Sequence, residues 1–146
     1  AIFTQVSSDA GGQAVTTRIL STAPSSYSFR LQEEEASSQA HVEETVDWIA
    51  FEYGTSGVID VIDAGGVDEA WATVNYDPIA GTVGLFASMQ TFNGPDPATV
   101  RARNIGVESA EIFVHEEKSL DVELDHGFED IAVVAAAEGV YELLLA

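Results

Sequence analysis

Short segments of alternating apolar and polar residues, separated by turn-forming residues, are the feature that most limits what this chain can fold into. The alternating segments lie at residues 27–31, 46–51, 58–62 and 110–114. Clusters of Gly, Pro, Asp, Asn and Ala or Ser lie between them, at residues 9–12, 23–26, 63–66 and 93–97. Alternation places every second side chain on one face of a strand, and these clusters favour tight turns. Signals that recur roughly every 8–14 residues predict an all-β, antiparallel sandwich or barrel.

An internal repeat organises these segments. At one constant offset the matched pairs are Phe3 with Phe86, Gly11 with Gly94, Thr16 with Thr99, Arg18 with Arg101, and 33–34 with 116–117. After a short insertion, a slightly larger offset matches His41 with His126, Glu44 with Glu129, Ala50 with Ala135, and Gly54 with Gly139. The order is kept throughout, which predicts a tandem duplication. Residues 131–145 suit a helix by propensity, but the repeat assigns them to strands.

The repeat divides the chain into three parts. Residues 1–54 form a copy that lacks its leading strands, residues 55–139 form a complete copy, and residues 140–146 resemble the strand at residues 57–62. An open sandwich edge is a template for another strand, so this last part is predicted to be a donor strand. Its assembly residues are Val140, Tyr141, Leu143, Leu144 and Leu145. Closure within the chain and pairing with a neighbouring molecule are both open.

Composition excludes several classes of partner. The chain has 25 Asp and Glu residues against 5 Lys and Arg, a net charge of −20, and 46% hydrophobic residues. Binding to nucleic acid or to an anionic membrane needs clustered Lys and Arg, so neither is expected. No apolar run is long enough for a membrane-spanning helix, so membrane insertion is not expected. Cysteine is absent, which excludes disulfides and thiolate sites. The start at Ala1 would suit a chain whose leader was removed. The expected location is extracellular or at the cell surface.

Several motifs together point to a family. They are a strand at residues 56–61, a Trp segment at 70–74, a strand and loop at 86–94 followed by 96–101, an aromatic-led strand at 27–35, and the segment HVEETVDWIA at 41–50. This arrangement resembles the H-type lectin domain of the tandem type found in bacterial and archaeal secreted proteins. The resemblance implies a six-stranded antiparallel β-sandwich. Members that bind N-acetylgalactosamine have an aromatic residue and a His after the aromatic-led strand, where this chain has residues 32–35 and 115–118. The stacking ring is absent, so that sugar specificity does not follow.

Carboxylates concentrate after the aromatic-led strand of each copy. Oxygen ligands are what Ca²⁺ prefers, so the candidate metal ligands are Glu33, Glu34, Glu44, Glu116 and Glu117. Calcium is the one cofactor that the sequence leaves open, and no other is expected. Successive carboxylates on a strand point to opposite faces, and a solvated acidic edge that blocks strand pairing is the competing interpretation.

Each histidine of the predicted repeat is followed by a glutamate three residues later: Glu44 follows His41, and Glu129 follows His126. One hypothesis is a ligand site or a charge relay. The other is a structural hydrogen bond at the entrance to a strand. No nucleophile or second base recurs with the pair, so no catalytic residues are assigned and enzymatic activity is not expected.

The loop after residue 89 is the best candidate for contact with a sugar. Gln90, Asn93, Asp96 and Arg101 are the candidate carbohydrate-binding residues. Arg18 and Arg101 are also expected to pair with carboxylates, since the chain has so few cations. Trp48 and Trp71 are predicted to be core residues.

Two functions from different classes fit these features. The first is a secreted, non-catalytic structural or adhesive subunit that associates head-to-tail by strand complementation into an extracellular fibre or coat. The second is a carbohydrate-binding module of a larger secreted protein. The first predicts that the partner is another copy of this chain, and the second that it is a glycan.

Overall fold

The computed structural model describes residues 1–139, which form eleven β-strands and no helix. The strands are β1 (Ile2–Val6), β2 (Val15–Ala23), β3 (Ser26–Glu33), β4 (Val46–Ala50), β5 (Gly54–Thr55), β6 (Ile59–Val67), β7 (Ala72–Asn75), β8 (Val83–Met89), β9 (Ala98–Arg103), β10 (Ser109–Glu116) and β11 (Glu129–Ala137). All pairings are antiparallel, and the sheets are ordered β5-β6-β11-β8, β7-β10-β9, β1-β4 and β2-β3. The all-β prediction is confirmed. Among residues 1–139 no helix is available to cross a membrane.

The sheets β5-β6-β11-β8 and β7-β10-β9 pack face to face in a β-sandwich-like arrangement. β10 shows how the sequence produces it, because Ile112 and Val114 are fully buried while the alternate residues Glu111 and Phe113 face outward. The core between the two sheets consists of Val67, Val74, Met89, Ala98, Ile112, Val114, Ile131 and Val133. β11 pairs on both of its edges, so its backbone is satisfied by strands despite its helix-favouring alanines.

The two small sheets repeat pairings of this sandwich. The register of β2-β3 is that of β9-β10 carried through the repeat, so Val15 pairs with Glu33 as Ala98 pairs with Glu116. The register of β1-β4 matches that of β8-β11 in the same way, so Phe3 pairs with Ile49 as Phe86 pairs with Val134. The repeated sequence signals therefore correspond to repeated strand pairs.

Two strand partners present in the sandwich have no counterpart in the small sheets. β10 also pairs with β7, and β11 also pairs with β6. Within residues 1–139, β3 and β4 each pair on one edge only. Trp48 is 59% exposed, although the equivalent residue on β11, Val133, is 0% exposed. The predicted burial of Trp48 is therefore wrong for this part of the chain, because its position needs a covering strand.

The predicted turn at residues 63–66 is also wrong, since these residues continue β6 as far as Val67. The pairing of β6 with β11 changes register between Glu129 and Ile131, and Gly66 adopts φ 70° there. The glycines that predicted a turn from the sequence therefore accompany an irregularity within a strand.

Trp71 lies on the outer face of the β7-β10-β9 sheet and is 38% exposed, which corrects its predicted place in the core. Its ring packs against Phe113, with 4.3 Å between ring centroids, and the Arg103 guanidinium lies 3.9 Å from its centroid. Aromatic and cationic contacts hold the ring on this face without enclosing it.

Candidate functional site

A buried histidine between two glutamates lies at the start of β11. Nδ1 of His126 donates to Glu116 over 2.6 Å, and Nε2 donates to Glu129 over 3.2 Å. Glu129 also accepts the backbone N–H groups of Asn93 and Gly94, at 2.9 and 3.1 Å, and the hydroxyl of Thr91. The side chains of this triad are at most 4% exposed. Together these contacts tie the 91–94 loop to the ends of β10 and β11.

The same arrangement occurs around His41. Its Nδ1 donates to Glu33 and its Nε2 to Glu44, both over 3.0 Å. Glu44 accepts the N–H groups of Ala10 and Gly11, at 3.0 and 2.9 Å, together with the hydroxyl of Ser8. The hydrogen bond predicted between each His and the following Glu is present in both clusters.

The imidazole, hydroxyl and loop N–H donors of one cluster have counterparts at the equivalent positions of the other. The histidines and the glycines are the same residue type in both clusters, whereas Ser8 corresponds to Thr91 and Ala10 to Asn93. The hydroxyl group is kept despite the change from Ser to Thr, and a backbone N–H needs no particular side chain. These donated hydrogen bonds are therefore more alike in the two clusters than the residue types that supply them.

Glycine is required where each loop crosses its imidazole. A Cβ placed on Gly94 would lie 2.4 Å from Cε1 of His126, and one on Gly11 would lie 2.4 Å from Cε1 of His41. No side chain fits at these distances, so the ring and the loop backbone are in direct contact. The close contact with the imidazole explains why both matched positions of the sequence are glycine.

The charges of both clusters are fixed by these hydrogen bonds. The pKa of Glu44 is lowered to about 2 by the hydroxyl of Ser8, then by His41 and the loop N–H groups. Burial by itself raises the pKa of Glu129, but His126, Thr91 and the loop N–H groups outweigh it and lower that pKa to about 2. The pKa of His41 is raised, chiefly by its bond to Glu44. Burial lowers the pKa of His126, but its bonds to Glu129 and Glu116 prevail and raise it. Each ring therefore favours the imidazolium, whose two N–H groups both donate.

Arg18 joins the small sheets to the His126 cluster. Its side chain is 1% exposed, and Nη2 donates to Glu129 over 2.9 Å. Nη1 donates to Gln32 and to the carbonyl oxygen of Asp96, over 3.2 and 3.0 Å. The expectation that Arg18 pairs with a carboxylate is confirmed. Its positive charge and that of His126 balance the two glutamates of this cluster, whereas the His41 cluster keeps one negative charge.

The predicted metal ligands do not converge. Glu33, Glu44 and Glu116 belong to the two histidine clusters, and Glu117 accepts the N–H of Glu35 and the hydroxyl of Ser119. Glu34, the remaining candidate, is exposed. Within residues 1–139, no group of three or more His, Asp or Glu side chains is arranged to hold a metal ion.

Three of the four predicted carbohydrate-binding residues form hydrogen bonds within the protein. Gln90 is 5% exposed, and its side-chain amide exchanges two hydrogen bonds of 2.8 Å with the backbone of Ile2. Asn93 donates to the carbonyl oxygen of Phe128, and Asp96 offers its carbonyl to Arg18. Of these four, Arg101 alone lines a cavity. It forms no ion pair with any described residue, so the prediction that it pairs with a carboxylate is wrong for this part of the chain. Gln90 joins β1 to the end of β8, a role that its isolated place in the sequence does not reveal.

The cavity beside Arg101 is an open cleft of about 590 Å³ between the β2-β3 and β9-β10 hairpins. Equivalent residues of the two hairpins line it, including Thr16 with Thr99, Glu33 with Glu116, and Glu34 with Glu117. His115 and Lys118 also line it, and the sequence predictions did not select them as binding residues. Two features of the sequence could have indicated these residues. Both are basic in an acidic chain, and His115 alternates with the buried residues of β10.

The contacts of the histidine clusters are those of a structural element that holds a loop in place. The hydroxyl groups of Ser8 and Thr91 donate to glutamates and not to an imidazole. The pKa of each of these glutamates is lowered to about 2, so the carboxylate is a weak base for activating a hydroxyl group as a nucleophile. Both ring nitrogens of each histidine are occupied by carboxylates. What the clusters do is fix a loop onto the ends of two strands.

Comparison with protein-family models found no match, and searches of curated proteins and of solved structures found nothing significantly similar to this chain. The class that the structure defines is an all-β protein of antiparallel sheets with a β-sandwich-like core. The H-type lectin resemblance stays a prediction from sequence.

Proposed function

We propose that this chain is a non-catalytic, extracellular structural subunit that assembles head-to-tail by strand complementation into a fibre or coat. In this proposal, residues 1–54 and 55–139 are tandem copies of one β-sandwich, and the first copy lacks two strands. Residues 140–146 of one molecule supply a strand to the first copy of the next. This last segment lies outside the described part of the chain, so its role rests on its sequence.

The observation that carries the proposal is the exposure of core positions in the first copy. Phe29 is 37% exposed, whereas Ile112, its equivalent at the same register, is 0% exposed. Trp48 is likewise far more exposed than its equivalent Val133. The Tyr27 ring contacts two other rings: its centroid lies 6.0 Å from that of Phe29 and 5.5 Å from that of Trp48. Large apolar groups that lie side by side on a surface mark an interaction site.

The repeat specifies where a donor strand would pair. In the complete sandwich, β11 pairs with β6 so that Val133 lies opposite Ile62 and Val134 opposite Val61. Transferred through the repeat, this register sets Leu144 opposite Trp48 and Leu143 opposite Ile49 on the open edge of β4. Strand addition of this kind gains backbone hydrogen bonds along the edge and side-chain burial on one face. A head-to-tail contact that does not close on itself produces a fibre.

The test compares the full chain with a variant that lacks residues 140–146, by light scattering after size-exclusion chromatography and by electron microscopy. The full chain is expected to form polymers and the truncated chain to be monomeric. A synthetic peptide of residues 139–146 is expected to bind the truncated chain and to bury Trp48, which its fluorescence reports.

A matched pair of substitutions distinguishes strand pairing from non-specific hydrophobic association. Trp48→Ser is expected to abolish polymers, whereas Phe86→Ser, which removes a ring that is 67% exposed on β8, is expected to leave them. Polymers of the truncated chain that match those of the full chain would overturn the proposal. A full chain that stays monomeric at high concentration would do the same, and would favour closure within the chain.

A further inference from the structure

One face of the β2-β3 sheet contacts the start of β11 and the loop that precedes β9. On this face, Arg18 donates to Glu129 over 2.9 Å and to the carbonyl oxygen of Asp96 over 3.0 Å. The side-chain amide of Gln32 donates to the carbonyl oxygen of Pro95 over 2.7 Å. Arg18 and Gln32 are only 1% and 3% exposed. The polar side chains of this face are therefore enclosed where the small sheet meets the sandwich.

The equivalent face of β9 and β10 has no such cover in the described part of the chain. Through the matched registers of the two hairpins, Arg101 takes the place of Arg18, and His115 takes the place of Gln32. Arg101 is exposed and forms no ion pair with a described residue. The half-buried ring of His115 contacts Phe113. This face thus carries the donors of the in-chain contact without their acceptors.

The acceptors of such a contact are present a second time at the His41 cluster. Glu44 takes the place of Glu129 there, and its Oε1 accepts from His41 and from two loop N–H groups. Oε1 of Glu129 accepts the equivalent three hydrogen bonds and that of Arg18 as a fourth. Among residues 1–139 no guanidinium supplies the fourth bond to Glu44. The cluster keeps one negative charge, and the loop residues 12–13 beside it are exposed.

We infer that Arg101 of one molecule pairs with Glu44 of the next, so that the β9-β10 face docks on the His41 cluster. His115 then lies at the carbonyl group of Gly12, in the way that the equivalent glutamine lies at a carbonyl group within the chain. The occupant is a second copy of this chain because the chain carries both halves of the contact: a cation without a carboxylate and a cluster with one negative charge in excess. The inference rests on the proposed head-to-tail assembly and adds a second contact to it.

The ion pair and the donated strand belong to one arrangement. Within the chain, β6 follows the small sheets and pairs with β11, while Arg18 reaches the first residue of that same strand. Residues 140–146 follow β11 as β6 follows β4, so their addition to the edge of β4 brings Arg101 to Glu44, just before β4. The strand supplies most of the attraction, and the enclosed ion pair, which salt screens less than an exposed one, fixes the orientation.

One contact of the in-chain face is not repeated. The Arg30 guanidinium lies 5.5 Å from the centroid of the Phe92 ring, whereas the equivalent residues are Phe113 and Asp9. The contact between molecules therefore depends more strongly on its ion pair, and loss of the one guanidinium should be measurable.

The first test is substitution of Arg101 in the full chain. Arg101→Gln is expected to raise the concentration at which light scattering detects polymers about tenfold, the loss of one charge-assisted contact. Arg103→Gln is the matched control, since Arg103 lies two residues further along β9 and already pairs with Glu111 of its own molecule over 2.8 Å. Its threshold is expected to equal that of the unmodified chain. Both arginines are exposed, and circular dichroism checks that both variants fold.

The second test places cysteines at the proposed contact of a chain that has none. Chains with His115→Cys are mixed with chains that carry Gly12→Cys, where a Cβ meets nothing within 4 Å. A short bismaleimide is expected to link positions 12 and 115 of different molecules, as identified by peptide mass spectrometry. Phe86→Cys, which is 67% exposed in the wild-type residue and lies on the other sheet, replaces His115→Cys in the control and is expected to give no link.

The inference is overturned if Arg101→Gln and Arg103→Gln have the same assembly threshold, or if polymers of the mixed chains contain no link between positions 12 and 115. Strand complementation survives either result when removal of residues 140–146 abolishes the polymers. A full chain that stays monomeric overturns both the strand exchange and the ion pair between molecules.

Discussion

At the scale of single residues, the two imidazole rings set the local structure. Each ring lies between two carboxylates and against a glycine, so a loop, a strand end and a hairpin end meet at one side chain. The polar groups are buried, and their mutual hydrogen bonds offset the cost of that burial. Stability should therefore respond sharply to changes in size or charge at these points.

The contact between Gly94 and His126 gives the first prediction at this scale. Gly94→Ala is expected to lower the free energy of unfolding by about 1–3 kcal/mol, since the added methyl group displaces the ring or the loop. Gly12→Ala is the control, because a Cβ at Gly12 meets nothing within 4 Å. Urea unfolding followed by tryptophan fluorescence measures both. Equal stabilities of the two variants would contradict the close contact.

The pH dependence of stability gives the second prediction. Glu44 and Glu129 have a pKa of about 2 in the folded state against an ordinary value of 4.5, so their stabilisation is present above pH 4.5 and is lost as pH falls towards 2. The histidine pKa values lie above the ordinary 6.5, so their stabilisation is present below pH 6.5 and is lost as pH rises through the raised pKa values. Stability is therefore expected to be greatest between about pH 4.5 and 6.5.

Urea titrations at a series of pH values measure this profile. His126→Gln is expected to reduce the decline on the alkaline side, because one of the two raised imidazoles is gone. His115→Gln is the control for the loss of an imidazole outside the two clusters, since this side chain has no carboxylate partner within residues 1–139. A profile that rises steadily from pH 6 to 9 would be incompatible with imidazolium in the folded clusters.

At the scale of strands, the sequence predicted what depends on local pattern and repeat. Strands β3, β10 and β11 were predicted from alternation and from the matched positions, and the alanine-rich β11 follows the repeat against its helical propensity. Burial of Trp48 was not predictable in this way. An alternating strand specifies which side chains share a face, but whether that face is covered depends on a strand distant in sequence.

The candidate site shows the same division. The pairing of His41 with Glu44 and of His126 with Glu129 followed from their spacing, while the second glutamate of each cluster arrives from another strand. Gln90 appeared suitable for sugar contact because it is polar and next to a loop. Its actual bonds to Ile2 join two distant parts of the chain, which no local pattern indicates.

At the scale of the whole molecule, the net charge of −20 acts against any association between copies. Glu34 and many other acidic residues lie on the surface, and molecules of the same large charge repel each other over about 10 Å at 0.1 M salt. The attraction in the proposed assembly comes from strand pairing and from burial of Trp48 and Phe29, which salt does not screen. Higher ionic strength should therefore favour assembly.

The prediction is that polymer length, measured by light scattering, increases between about 0.05 and 0.5 M NaCl, as the screening length shortens from more than about 10 Å to a few ångströms. The chain without residues 140–146 is expected to be monomeric throughout this range, which excludes salting-out of the folded body as the cause. Polymers that disperse as salt is added would show that ion pairs, and not a donated apolar strand, hold the copies together.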